Sequence, residues 1–270
     1  MRHVLDVGHL VAGGSAHISF LRAGRGEPVL LLHGFASDAS DDWVETGWFD
    51  ALVAAGFDVI APDLRGHGRS VKSRDPADYR LEAFTADVVA LCDHCWRDLR
   101  FSLFGYSMGA HVAMSVALAS VDRVESLVLG GMGDRIAATV GLGPEFADAL
   151  DPVDDRPPDR GEPPSYAVRF RQHAASRPFN DLAVLAASLR GQSGVFGLER
   201  LSTVTAPTLV IVGGQDKLAG APHPVAALFP GGVAETVPGA NHASALSDGN
   251  FRKRAVAHLA RRRGDHDIES

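Results

Sequence analysis

The stretch Phe101 to Gly109, FSLFGYSMG, constrains this chain more than any other. Phe101 to Phe104 is an apolar run of strand length, and His111 to Ala119 follows at once with strong helix formers. The chain must therefore leave a strand and enter a helix across Gly105-Tyr106-Ser107-Met108-Gly109, a G-x-S-x-G element. A turn that tight forces its central residue into a strained backbone conformation, and the flanking glycines leave the room that side chains would occupy. The hydroxyl is pushed clear of the sheet and the new helix points its N-terminus at it. In an ordinary turn, glycine and serine carry no chemistry. Between a buried-type strand and a helix they make Ser107 a candidate nucleophile.

The pattern on either side extends this unit. Val4 to Leu10 and His17 to Arg22 read as a hairpin across Gly13-Gly14. Pro28 to Leu32 is an unbroken apolar run ending in His33-Gly34-Phe35, as expected of a parallel strand buried on both faces. Ser37 to Asp42 reads as a polar loop, followed by a helix from Trp48 to Ala55 closed by Gly56. Phe57 to Ala61 is the next strand, Leu81 to Trp96 a helix, and Val124 to Leu129 a strand after the Ser107 unit. This β-α-β alternation predicts a parallel sheet with helices on both faces, and ligands at the carboxyl ends of its strands.

From Asp134 to Leu201 the strand pattern disappears. Helices are expected at Glu145 to Leu150, Ser165 to Ser176 and Asp181 to Arg190, around a proline-rich charged loop, Asp151 to Pro164. We read 134–201 as a helical lid inserted into a core formed by 1–133 and 202–270. The sheet resumes at Thr208 to Val212, then a helix from Pro224 to Leu228, a strand from Ala234 to Val237, and a closing helix from Phe251 to Arg263. Gly264 to Ser270 reads as a tail.

Composition excludes several classes of function. A net charge of −7 lacks the basic surface that nucleic acid requires. No apolar run reaches membrane-span length, and the start MRHVLDVGHLVAGG breaks the apolar core that a signal peptide needs, so the expected location is the cytoplasm. The two cysteines, Cys92 and Cys95, fall late in a helical pattern, which suits buried thiols better than a redox or zinc motif. The histidines at 17, 94, 111, 173, 223 and 258 show no metal-ligand spacing, and neither metal nor cofactor is expected.

A serine hydroxyl becomes a useful nucleophile only when a base accepts its proton and a third group orients that base. Ser107, Asp216 and His242 meet that need in the order serine, acid, histidine, with Asp216 in a Gly-Gly-Gln-Asp turn after a strand. Asp134, beyond Val124 to Leu129, is the competing acid, with a helix cap as its alternative role. At this point the chain resembles the α/β-hydrolase fold over essentially its whole length. The motifs are His33-Gly34-Phe35, Asp63 to Ser70 (DLRGHGRS), Gly105 to Gly109, Gly213 to Asp216 and Gly239 to His242. The resemblance implies a mostly parallel, doubly wound sheet and a Ser107 nucleophile. It makes His242 the general base and acid, with Asp216 as its orienting carboxylate. The oxyanion hole it implies is formed by the backbone N–H groups of Phe35 and Met108. His33, Trp43, Tyr106, Tyr166 and Phe170 are candidates to line the substrate pocket, although His33 better suits a hydrogen bond supporting the oxyanion turn and Trp43 equally suits the packing of the first helix. Arg65, His67 and Arg69 fall in a glycine-rich turn and read as structural.

Serine at the turn disfavours dehalogenase and epoxide hydrolase chemistry, which in this fold uses a carboxylate nucleophile. The expected partner is a small-molecule substrate, with no nucleic acid and no membrane; no oligomeric state follows from the sequence. A carboxylic ester, or a related thioester, lactone or amide, is the leading expectation. Carbon–carbon cleavage of a ring-cleavage product, a cofactor-free oxygenase or perhydrolase reaction, and ligand binding with little turnover are the competing ones. The carbon–carbon alternative is weakened by Ala36 to Asp42, which lacks the glycine-rich segment of such enzymes.

Overall fold

The computed structural model of the protein describes residues 6–12, 16–151 and 165–261. Eight strands form one sheet: β1 Asp6–Ala12, β2 Ala16–Gly24, β3 Glu27–Leu32, β4 Phe57–Pro62, β5 Phe101–Tyr106, β6 Val124–Gly130, β7 Thr208–Gly213 and β8 Gly232–Val237. Their spatial order is β1-β2-β4-β3-β5-β6-β7-β8. The first hairpin is antiparallel and joins β4 antiparallel; from β4 through β8 every pairing is parallel. The expected Gly13-Gly14 turn, the 152–164 part of the proline-rich loop, Arg262-Arg263 and the tail lie outside the described residues.

The central parallel strands β3 to β7 are largely apolar and buried because helices cover both faces, and the side-chain period of two sorts them. In β3, Val29 and Leu31 face a core shared with helices α1 (Trp48–Ala54) and α8 (Gly249–Ala260). Leu30 and Leu32 face the other core, with α2 (Leu81–Trp96), α3 (Met108–Ala119) and α7 (His223–Ala226). The sheet is doubly wound, as the alternation predicted.

Between β6 and β7 lie α4 (Pro144–Leu150), α5 (Ser165–Ala175) and α6 (Leu182–Gly191). Ala147, Leu150, Ala174, Leu185 and Leu189 from these helices pack with Ala36 and Phe35 just beyond β3. The segment has a closed neck: Thr139 pairs antiparallel with Val195, and Phe196 N–H donates to the Ala138 carbonyl at 2.9 Å. Below that neck, Ala137, Phe196 and Leu201 belong to the α2–α3 core. The ends of 134–201 are thus packed with the sheet.

One local expectation is corrected. The polar loop Ser37 to Asp42 contains the start of a π-helical turn, Ser40–Val44, which carries Trp43 into the core. Period-2 and period-3.6 patterns do not reveal a single turn wound with one extra residue.

Candidate active site

Ser107 stands at the crossing from β5 to α3 with φ 53° and ψ −112°, a conformation that a non-glycine residue adopts only under constraint. Gly105 and Gly109 explain how the turn is made. A Cβ on Gly105 would lie 2.2 Å from the Gly109 carbonyl oxygen, and one on Gly109 would lie 2.0 Å from that of Leu32. Both contacts are impossible for a side chain, so the close approach of turn, helix and β3 requires glycine at both places. Ser107 N–H is anchored to the Gly130 carbonyl at 2.9 Å.

Two loops bring partners to this hydroxyl. After β7, Asp216 Oδ1 accepts the N–H groups of Leu218 (3.1 Å) and Ala219 (2.8 Å), which fixes the plane of a fully buried carboxyl. After β8, the Asn241 side chain accepts the N–H groups of Ala243 and Ser244, both at 3.0 Å, and shapes the turn that presents His242. His242 Nδ1 lies 2.7 Å from Asp216 Oδ2, and His242 Nε2 lies 3.0 Å from Ser107 Oγ. With Asp216 accepting, Nδ1 carries the proton and Nε2 presents a lone pair to the serine. The three residues picked out from sequence meet in one hydrogen-bonded chain.

Asp134 plays a different part. Its Oδ1 accepts the Ala221 N–H at 2.8 Å, and its own N–H donates to the Ala221 carbonyl at 3.0 Å. It ties the β6 exit to the turn after Asp216; it neither faces His242 nor caps α4, whose cap is Gly143.

A cavity of about 340 Å³ opens beside Ser107 and is lined by Phe35, Tyr106, Met108, Phe146, Phe170 and Leu189, among others. Met108 is the first residue of α3, so its N–H has no acceptor within the helix. Phe35 lies in the turn after β3, beside Gly34, where an added Cβ would be 3.8 Å from Ser107 Cβ. Phe170 stacks on Phe35 with ring centroids 5.8 Å apart and meets Phe146 edge-on at 5.3 Å. Tyr106 contributes its ring to the wall and donates its hydroxyl to the His242 carbonyl at 2.5 Å, holding the histidine loop.

Three of the candidate lining residues lie outside the cavity, His33 and Trp43 in the supporting and packing roles that were their alternatives. His33 is fully buried beneath the turn: Leu64 N–H donates to its Nε2 at 2.9 Å, so Nδ1–H donates to the Gly34 carbonyl at 2.7 Å. Trp43 is fully buried in the α1–α8 core, 4.9 Å from Phe104 and 6.0 Å from Trp48. Tyr166 is 47% exposed on α5, with its hydroxyl 3.3 Å from Glu145. An aromatic residue on a helix of unknown rotation gives no sequence signal for the face it occupies.

In the glycine-rich turn, Arg65 forms a two-point pair with Asp87 at 2.8 and 2.9 Å. Arg69 lies over the Phe179 ring at 4.1 Å. His67 is buried and its pKa is depressed to about 3, first by burial and then by neighbouring His33. Burial also raises the thiol pKa values of Cys92 and Cys95, which favours the unreactive protonated form.

Nothing in the sequence marks Asp42, Asn180 or Gln192 as site residues, and His111 shows there only as one of the scattered histidines. Asp42, Gln192 and His111 line the cavity, and burial depresses the His111 pKa to about 4. Asp42 is one of several acids in a polar run, and nothing in its spacing separates it from Asp38 or Asp41. Among the described residues, no group of three or more His, Cys, Asp or Glu is placed to hold a metal ion, and no helix is long and apolar enough to cross a membrane.

Comparison with known proteins identifies the fold family. An uncharacterized protein of Mycobacterium tuberculosis is 37% identical over 118 residues, 43% of this chain and 32% of that protein. Epoxide hydrolase B of the same species is 36% identical over 107 residues, 38% of this chain and 28% of that protein. The match thus spans about a third or less of these relatives' length. Among solved structures, an esterase from Thermogutta terrifontis superposes with a TM-score of 0.70 at 24% identity, covering 98% of this chain and 100% of the other. At that identity the likeness speaks for the fold alone. The family model for the alpha/beta hydrolase fold matches residues 27–183, more than half the chain, and the protein belongs to that family.

Proposed function

We propose that the protein is a serine hydrolase that cleaves a small to medium carboxylic ester, or a related thioester, lactone or amide, through an acyl-enzyme. The observation that carries this reading is the unbroken chain from Asp216 Oδ2 through His242 to Ser107 Oγ, at 2.7 and 3.0 Å, opening on an apolar cavity. In this mechanism Ser107 Oγ attacks the substrate carbonyl carbon while His242 Nε2 takes the hydroxyl proton. Asp216 holds the ring in the required tautomer and stabilises the imidazolium that forms. The N–H groups of Phe35 and Met108 receive the developing oxyanion. His242 then returns the proton to the leaving group, and a water activated by the same nitrogen releases the acid.

Some relatives carry the name epoxide hydrolase. For this chain the serine at the turn favours acyl chemistry, because Ser107 Oγ pairs with a histidine base and needs no carboxylate nucleophile. The helices α4 to α6 serve in this reading as a lid, with Phe146 and Phe170 setting the shape of the acyl or alcohol site. The test is turnover of p-nitrophenyl acetate and butyrate beside a panel of ring-cleavage dienones. Ester turnover abolished by Ser107→Ala is the expected result; turnover of the dienones alone would transfer the assignment to carbon–carbon cleavage.

A further inference from the structure

We propose that Asp42 and Asn180 are positioning residues which together clamp the turn Gly34 to Ser37 in the shape that presents the Phe35 N–H. The proposal rests on the oxyanion role given to that group above. The turn needs a clamp, because Ala36 sits at φ 59°, in the left-handed region that side chains disfavour. Among the described residues only Ala36, Arg97 and Ser107 combine a side chain with positive φ; one is the proposed nucleophile and another, Ala36, follows Phe35 in the turn beside it.

Asp42 grips both ends of the turn. Its Oδ2 accepts the Gly34 N–H at 2.8 Å, and its Oδ1 accepts the Ser37 hydroxyl at 2.5 Å. Gly34 N–H is thereby spoken for, and the next amide along the turn is that of Phe35. The reach depends on the π-helical turn Ser40–Val44, whose additional residue carries Asp42 beside the turn while Trp43 enters the core. Single π-turns of this kind often mark functional places.

Asn180 closes the clamp from the other side. Its Nδ2 donates to the Ala36 carbonyl at 2.9 Å and to the Ala174 carbonyl of α5 at 3.1 Å, so one amide joins the strained residue to the helical segment. Arg177 repeats the link one step away, pairing with Asp41 at 2.5 Å. The segment over the cavity and the oxyanion turn are one hydrogen-bonded unit, so docking of the segment helps to set the turn.

The experiment compares Asp42→Ala, Asp42→Asn and Asn180→Ala with wild type. It measures kcat and KM on p-nitrophenyl butyrate, the rate of fluorophosphonate labelling of Ser107, and the melting temperature. Misplacing an oxyanion donor by a fraction of its working geometry lowers kcat by about 100-fold, the loss expected for Asp42→Ala, with KM within about twofold. Asn180→Ala removes two neutral hydrogen bonds, of which the one to Ala36 holds the turn, and should cost roughly tenfold in kcat. Asp42→Asn keeps an acceptor for Gly34 N–H and should recover most of the loss. Labelling should slow by matching factors. If the wild type turns over no ester, the ester assignment fails by itself and the labelling rates alone judge the clamp. If Asp42→Ala does not fold, half-buried Asn180 carries the decision. Unchanged kcat and labelling in Asn180→Ala, losses confined to KM, or equal losses in both Asp42 variants would overturn the proposal.

Discussion

Replacing Asp216 by asparagine alters a single side-chain atom group, yet the surrounding hydrogen bonds dictate which way the new amide must face. Oδ1 of Asp216 already accepts two backbone N–H groups, from Leu218 and Ala219. The amide oxygen of asparagine must keep that place, because turning the NH₂ there would set donors against donors. The NH₂ therefore faces His242 Nδ1, where Oδ2 stood at 2.7 Å. Nδ1 must then become the acceptor, the proton moves to Nε2, and the nitrogen 3.0 Å from Ser107 Oγ can no longer take a proton. Holding the histidine in that tautomer lowers kcat by about 10⁴-fold in a comparable triad, or about 5 kcal/mol of barrier. Asp134→Asn is the control. Its amide oxygen can still accept the Ala221 N–H, so kcat should stay near wild type and stability should change by about 1 kcal/mol or less. Steady-state hydrolysis of p-nitrophenyl butyrate, with melting temperatures for both variants, reads the contrast. A kcat for Asp216→Asn within tenfold of wild type would refute the reasoning, as would a collapse in Asp134→Asn.

Two further outcomes follow from the packing around the site. Phe170→Ala removes the ring that stacks on Phe35 and meets Phe146 edge-on and should change the ratio of kcat/KM between acetate and longer esters by roughly tenfold, whereas exposed Tyr166→Ala should leave that ratio alone. An identical profile in both variants would remove Phe170 from the pocket wall. Stability should also fall on acidification. His67 and His111 have folded pKa values of about 3 and about 4 against an ordinary 6.5, so their contribution is intact above that value and is lost as pH drops. Each costs about 2 kcal/mol by pH 5. Asp41 opposes them: burial and Asp38 raise its pKa to about 6, so its ionisation weighs against the fold as pH rises, and acidification relieves it. With two histidines against one carboxyl, the urea midpoint should be lower at pH 5 than at pH 7; a higher midpoint would contradict the sign.

The sheet, the order of its strands' roles and the three residues at the centre were legible because each leaves a local mark. Buried strands are solid apolar runs, the β5–α3 turn demands glycine at 105 and 109, and Asp216 and His242 each follow a strand at a glycine turn. What was illegible depends on distance in space rather than neighbours in sequence. The choice between pocket and core for Trp43, and the outward turn of Tyr166, are illegible because a ring's rotation about its element is set by packing partners such as Phe104 and Glu145. Asp42 was hidden because a π-helical turn has no periodic signature. Asn180 escaped because its partner, Ala36, is 144 residues away in the chain. The pairing of Thr139 with Val195 is a single bridge between residues that no pattern relates.

The central claim is that Ser107 is the nucleophile, and covalent labelling tests it most directly. A fluorophosphonate should modify the intact protein at a single site, the mass shift should map to the peptide holding Ser107, and Ser107→Ala should take up none at unchanged melting temperature. Undiminished labelling of a folded Ser107→Ala protein, or a mass shift mapped to another residue, would contradict the account.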